Sequence, residues 1–170
     1  GDYSNHTIRK IVISTGVVST FSGYPGSSGS TNATGTAARF RNPRGITTDG
    51  TNLYVVDSSN HMIRKIVIST GAVTTLAGST SHGSTDGTGT SAKFSNPREI
   101  STDGANLYVA DKDNHKIRKI VIATGVVTTI AGSGSSGSTD ATGTAASFSS
   151  PMGIAIDGTN LYVGDYSNHK

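Results

Sequence analysis

The sequence predicts an all-β chain made of one four-stranded unit written three times. Three observations carry that expectation. Asp2-Tyr-Ser-Asn-His6 returns as Asp57-Ser-Ser-Asn-His61, Asp111-Lys-Asp-Asn-His115 and Asp165-Tyr-Ser-Asn-His169, at intervals of 55, 54 and 54 residues. The string Ile-Arg-Lys-Ile-Val-Ile opens unchanged at Ile8, Ile63 and Ile117. Apolar residues make up only 33% of the chain, yet they gather in short runs rich in β-branched and aromatic side chains, bounded by Gly, Asn and Asp, which is strand patterning. A period of this length signals a solenoid, propeller or array. A residue present in every copy builds the copy, so specialised chemistry is sought where the copies differ.

The middle copy shows the elements in order. Strand a is expected over 99–103, b over 106–111, c over 116–122 and d over 126–131. Asp103-Gly104 and Thr124-Gly125 supply tight a–b and c–d turns, with Gly free to take positive φ. Asp111 to His115 makes the b–c turn, where Asn and Asp side chains bond local backbone. Leu107-Tyr-Val-Ala and Ile120-Val-Ile are apolar at consecutive positions, so both faces of those strands should be covered. The whole of 1–170 reads as one such array. It comprises strands c and d of a split unit in 1–23, full units at about 40–78 and 94–132, and strands a and b of a split unit at about 148–165. Between units lie long Gly/Ser/Thr-rich stretches ending in Thr-Ala-Ala-Arg-Phe40, Thr-Ser-Ala-Lys-Phe94 and Thr-Ala-Ala-Ser-Phe148. Each ending is expected to form a single helical turn whose Phe anchors the loop on the core.

Taken together, Asn-x-Pro-x-Gly-Ile, then Leu-Tyr-Val-x-Asp-x-x-Asn-His-x-Ile-Arg-Lys-Ile, then Val-x-Thr-x-Ala-Gly closely resembles the NHL repeat, over essentially the whole chain. The resemblance implies a β-propeller of four-stranded antiparallel blades, commonly six. Known NHL propellers mostly bind proteins, RNA or other ligands, and a minority, such as the peptide-amidating lyase, are metal-dependent enzymes. Propellers close with about four to eight blades, and three blade-equivalents are present. A six-bladed ring is therefore expected from two chains, with a and b of one pairing with c and d of the other, because unpaired strand edges invite association. A rotation that fails to close would give a filament. Residues 1–6 and 164–169 are the same string, so in a closed ring one of the two is expected to be displaced.

Composition narrows the function classes. Net charge is only +3, far from a dense basic patch, and few aromatics stand free to stack bases, so nucleic acid is not expected as a partner. Without Cys there is no disulfide, thiolate metal site or Cys nucleophile. No apolar run approaches the roughly 18 residues of a membrane span and no charged-then-apolar leader opens the chain. Gly1 in place of Met reads as a processed, excised or partly represented product. Absence of Cys leaves the compartment open, with a bacterial extracellular or cell-surface setting favoured.

Four of the five His residues fall in the repeated turn. Equivalent atoms on adjacent packed sheets lie at least about 10 Å apart, too far to share a zinc whose ligands stand near 2.1 Å, so turn capping is the expected role. Asp57 with Arg64, and Asp111 with Arg118, fall in register across the b–c hairpin and should form structural ion pairs. Thr-Asp86-Gly-Thr-Gly has some calcium-loop character but lacks the spaced oxygens of an EF-hand. No nucleophile–base set, phosphate loop, metal site or cofactor is expected, and the chain is read as non-enzymatic.

The copies diverge before strand a: Arg39-Phe-Arg41-Asn-Pro-Arg44-Gly45, Lys93-Phe-Ser-Asn-Pro-Arg98-Glu99 and Ser147-Phe-Ser-Ser-Pro-Met152-Gly153. Strand a is innermost in a propeller, so Arg44 and Arg98 should stand at the channel mouth beside Glu99, with Arg39, Arg41 and Lys93 nearby. Arg forks suit carboxylate or phosphate; the alternative is solvated surface charge, with Arg44 and Arg98 bonding loop carbonyls. The sequence thus points to a non-catalytic scaffold or recognition module that self-associates and takes a peptide or glycan with an anionic group on its long-loop face. The alternatives are a lyase-type enzyme using the channel, against which the His-free strands a argue, and a purely structural subunit of an engineered ring or filament.

Overall fold

A computed structural model describes residues 1–169. Its strands are β1 (Ile8–Ile11), β2 (Val18–Ser22), β3 (Pro43–Thr48), β4 (Asn52–Asp57), β5 (Met62–Val67), β6 (Val73–Gly78), β7 (Gly87–Thr88), β8 (Ile100–Thr102), β9 (Asn106–Asp111), β10 (Lys116–Val121), β11 (Val126–Ala131), β12 (Pro151–Ile156) and β13 (Leu161–Asp165). Only short 3-10 turns interrupt them, and no α-helix occurs among the described residues. β3–β6 form one antiparallel four-stranded blade, blade I. β8–β11 form blade II, with β7 added at the outer edge of β11. β1 pairs with β2, and β12 with β13, as two half-blades. The all-β, bladed fold expected from the sequence is therefore present. In the middle copy strand a is shorter than expected, Ile100–Thr102, and c ends at Val121.

The continuous apolar runs are covered on both faces, alternately. Tyr54 and Val56 of β4 pack into a cluster with Phe94, Ile100, Leu107 and Val109 of the next blade. Val55, between them, belongs to a second cluster with Ile8, Phe40 and Ile66 on the other side. A third cluster joins Ala110 and Ile117 of blade II to Ile154 of β12. The period of two along one strand thus builds two different inter-blade cores.

The loop endings form 3-10 turns at Gly35–Ala37, Gly89–Ser91 and Gly143–Ala145. Each is followed three residues later by the anchoring Phe, and Phe40 and Phe94 are fully buried. The loops do more than connect. Residues 33–35 bond the outer edge of β6 through Val73 N to Ala33 O (2.9 Å) and Gly35 N to Gly71 O (3.0 Å). β7 does the same for β11, so backbone that would be a bare edge strand is covered.

The inner strands approach each other closely. Gly45 N donates to Arg98 O at 3.0 Å, and a Cβ on Gly45 would lie 2.8 Å from Glu99 Cα and 2.9 Å from Arg98 O. That approach fixes glycine on β3 and brings the pre-strand segments of neighbouring blades to one rim.

Candidate functional site

The repeated polar residues build the frame around that rim. Arg118 is fully buried. Its Nη1 donates to Asp111 Oδ2 and Lys93 O at 2.8 Å each, and its Nη2 to Asp86 Oδ1 (2.8 Å) and Thr85 O (3.1 Å). Arg64 repeats the pattern with Asp57, Arg39 O, Asn32 and Thr31 O. Each guanidinium lies 5.1 Å from the ring centroid of its anchoring Phe, Phe40 or Phe94. The ion pairs read from the sequence are thus hubs that tie a loop to its blade. Asp86, in the segment with calcium-loop character, is engaged by Arg118 and by Thr129 N and Oγ1.

The histidines latch one blade to the next. His6, His61 and His115 adopt left-handed φ near 53–60° at the end of the b–c turn. Their Nδ1 atoms accept from Asn42 N (3.1 Å), Asn96 N (3.0 Å) and Ser150 N (3.0 Å), each at the start of the following blade. Burial chiefly, then the like charge of His82, pulls the His61 pKa downward against Asp113, which keeps Nδ1 free to accept. Among the described residues, no group of three His, Asp or Glu is placed to hold a metal.

The strand-a carboxylates are committed to turns. Asp49 Oδ1 accepts from Thr51 N and Asn52 N, and its Oδ2 from the Tyr54 hydroxyl at 2.7 Å. Asp103 is held likewise; slight burial opposes it, but hydrogen bonds from Asn106, Ala105 and Tyr108 bring its pKa down to about 2. Carboxylates this well bonded are poor proton carriers near neutral pH.

At the rim, Arg44, Arg98 and Glu99 come together around a cavity of about 240 Å³ lined also by Tyr3, Pro43 and Met152. Arg44 stacks on Tyr3, its guanidinium carbon 4.1 Å from the ring centroid. Burial, then the charge of Arg44, pulls the Arg98 pKa downward, with Asp113 opposing. Neither guanidinium makes a hydrogen bond or ion pair among the described residues, and both Nε atoms are buried without a partner. Glu99 spends Oε1 on Ile100 N, 3.2 Å away. The other candidates lie apart. Arg39 bonds three carbonyls of its own 3-10 turn and stacks 4.9 Å over Tyr24, Lys93 bonds Ser79 Oγ, and Arg41 has an exposed side chain. Tyr3 and Asp113 were not singled out in the sequence. The signal available for Tyr3 was its divergence, since Ser58 and Lys112 hold the same place in the full blades.

No protein-family model matches the chain. Curated relatives do: it is 32% identical over 178 residues to human NHL repeat-containing protein 2, aligned over 95% of the chain and 24% of that protein. It is 31% identical to the Arabidopsis thaliana chloroplastic protein SUPPRESSOR OF QUENCHING 1, over 96% of the chain and 17% of that protein. The chain thus spans about a quarter or less of the length of these relatives. Among solved structures, an auxiliary nutrient binding protein from Bacteroides thetaiotaomicron superposes with a TM-score of 0.74 at 21% identity, over 98% of this chain and 42% of that one. Virginiamycin B lyase from Staphylococcus aureus superposes at 0.57 and 16% identity, over 97% and 44%. At such identities the structural likeness speaks for the blade architecture alone. The repeated Asn-His turns, the four-stranded blades and the sequence relatives agree, and the chain belongs to the NHL-repeat β-propeller family.

Proposed function

We propose that this chain is a non-catalytic propeller module that recognises an anionic group at the pocket between Arg44 and Arg98, and that two copies complete a six-bladed ring. One observation carries the recognition reading: two partly buried guanidinium groups face one cavity with no carboxylate or carbonyl spent on them, whereas Arg64 and Arg118 have both terminal nitrogens bonded within the fold. A carboxylate or phosphate suits such a pair bidentately. A cavity of about 240 Å³ is below the usual range for drug-sized ligands, so it fits a terminal group of a peptide or glycan. The lyase-type alternative draws no support from the strand-a residues, which offer turn-bound Asp and no His.

Calorimetric titration of the wild type and of Arg44→Ala/Arg98→Ala with inorganic phosphate, an acidic peptide and heparin tests the reading. One of these probes should bind, weaken with salt, and lose at least about tenfold in affinity per Arg removed, the worth of a hydrogen bond to a charged group. Binding indifferent to both substitutions, or no binding by any probe at low salt, overturns it.

A further inference from the structure

We infer that the free edge of β13 is a socket for the β1 strand of a second copy of this chain, with Arg9 as the key and Tyr162 as a reciprocal plug. The inference rests on the two-copy ring proposed above and names its contacts.

In blade II, Arg118 occupies a site walled by Thr85, Asp86, Lys93, Phe94 and Asp111. Beside β13 the counterparts Thr139, Asp140, Ser147, Phe148 and Asp165 line an open cavity of about 290 Å³. Asp165 is already set for the same job. Its Oδ1 accepts from Ser149 N at 2.7 Å and its Oδ2 from Asn168 at 2.6 Å, as Asp111 does from Ser95 N and Asn114 at 2.8 Å each. No Arg among the described residues reaches Asp165 or Asp140. The site is therefore open and anionic, with a buried Asp165, and shaped for a guanidinium over a Phe ring.

The matching part lies on β1. Arg9 has the same Ile-Arg-Lys-Ile setting as Arg64 and Arg118, but meets only Asp2, at 3.5 Å, with the two side chains 42% and 26% exposed. The full-blade pairs stand at 2.8 Å with no exposure. β5 and β10 pair on both edges, β1 on one. The apolar side repeats the logic in reverse. Tyr54 is buried among Ile63, Leu76, Ile100, Leu107 and Ile122. Their counterparts Ile8, Phe21, Ile46, Leu53 and Ile68 line an open pocket of about 260 Å³ beside β1, while Tyr162, the counterpart of Tyr54, is 59% exposed. Carrying over the blade I register of Tyr54 on Lys65 and Val55 on Arg64 sets Tyr162 opposite Lys10 and Val163 opposite Arg9. One register fills both cavities.

The duplicated turn decides which copy yields. Asp165 is 5% exposed and bonded at 2.6–2.7 Å by Asn168 and by Ser149 N, outside its own turn. The Asp2 carboxylate meets only Asn5 of its own turn, at 3.1–3.2 Å, and Arg9 at 3.5 Å, beside the backbone bridge from Asp2 to Thr7. In the joined blade Asp2 is displaced, Arg9 changes partner to Asp165 of the second copy, and that copy's His169 takes over the bond that His6 makes to Asn42 N.

Sedimentation over a range of concentrations, on wild type, Asp165→Asn, Asp2→Asn and Arg9→Met, tests this, with circular dichroism to verify folding. The wild type should be dimeric. Asp165→Asn and Arg9→Met should each raise the dimer Kd at least about 100-fold, the cost of taking one partner from a buried ion pair, while Asp2→Asn leaves it unchanged or lowers it. Arg9 is exposed in the single chain, so its variant tests the key even if Asp165→Asn folds poorly. A wild-type dimer untouched by Asp165→Asn and Arg9→Met overturns the socket and spares the ring. A monomer at every concentration overturns both. Open-ended growth in mass that both substitutions abolish supports the socket and rejects the closed ring.

Discussion

Replacing Arg118 by Met keeps the length and apolar stem of the side chain and removes the charge. In the wild type the guanidinium makes four hydrogen bonds of 2.8–3.1 Å with no exposure to water. In the variant Asp111 keeps its bonds from Ser95 N and Asn114 but loses its counter-ion, and three further acceptors lose a donor. Removing one partner of a buried pair costs about 3–5 kcal/mol, a large part of the roughly 5–15 kcal/mol that holds a domain together. Urea unfolding of wild type, Arg118→Met, Asp111→Asn and the double variant, at one protein concentration, measures it. Each single variant should lose about 3–5 kcal/mol, and the double variant well under the sum, because the second removal relieves the orphaned group. The pH dependence adds a check of sign. Burial pushes the Asp111 carboxyl upward from its ordinary value, opposed by Asn114, Ser95 N and Arg118; without Arg118 it rises further. A raised folded-state pKa means the native variant holds its proton more tightly than the unfolded chain, so its stability falls as pH rises from about 4, the unfolded carboxylate value, through the raised pKa, and is level above. Arg118→Met should therefore lie closest to wild type in acid. Losses below about 1 kcal/mol, or strict additivity in the double variant, would refute the hub.

Two further outcomes test how the blades are held to one another. The His61 pKa is lowered, so the unfolded chain binds the extra proton first, and stability that is full above the unfolded His value of about 6.5 declines as pH falls through the folded-state pKa; His61→Asn, which tolerates the left-handed backbone, should flatten the urea midpoint between pH 7 and 5, and an unchanged slope would remove His61 from the latch. Gly45→Ala places a methyl 2.8–2.9 Å from the backbone of the Arg98–Glu99 segment and should cost about 1–3 kcal/mol, as overpacking does; a neutral result in the same unfolding assay would mean the inner strands are not pressed together.

Repetition made the fold legible. Strand positions, the covered faces of Tyr54 to Val56, and the Asp57–Arg64 and Asp111–Arg118 pairs all follow from local pattern and hairpin register. The partners of those arginines were not legible. The carbonyls of Thr31, Arg39, Thr85 and Lys93 are backbone groups in loops whose Gly/Ser/Thr composition encodes no period, and which carbonyl turns inward is settled only when the loop wraps its blade. The outer-edge cover by residues 33–35 and by β7 was hidden for the same reason. The His turn was recognisable as a turn, but its Nδ1 bond crosses to the next blade, about 35 residues away in the chain, and no local pattern records that. At the rim, the inner place of strand a located Arg44, Arg98 and Glu99. Arg39 and Lys93 each sit five residues before the nearest rim Arg in sequence, yet fold back onto their own loop turns.

Four arginines of one chain fall into two kinds by how the fold uses them. Arg44, Arg64, Arg98 and Arg118 all bury an Nε without a partner, so that feature alone distinguishes nothing. What differs is the rest of each guanidinium. Arg64 and Arg118 recur in register and have their terminal nitrogens consumed by the fold, and a ligand could reach them only by unbuilding a blade. Arg44 and Arg98 recur as well, but the third copy has Met152 in their place, and the blade around Ile154 forms regardless. Arginine at that position is therefore dispensable for the blade, and its terminal donors are unspent. Those terminal donors are not among the buried unpartnered atoms; they belong to side chains lining the open rim cavity, where an anion of the kind proposed above would find them and where no residue of the frame takes them.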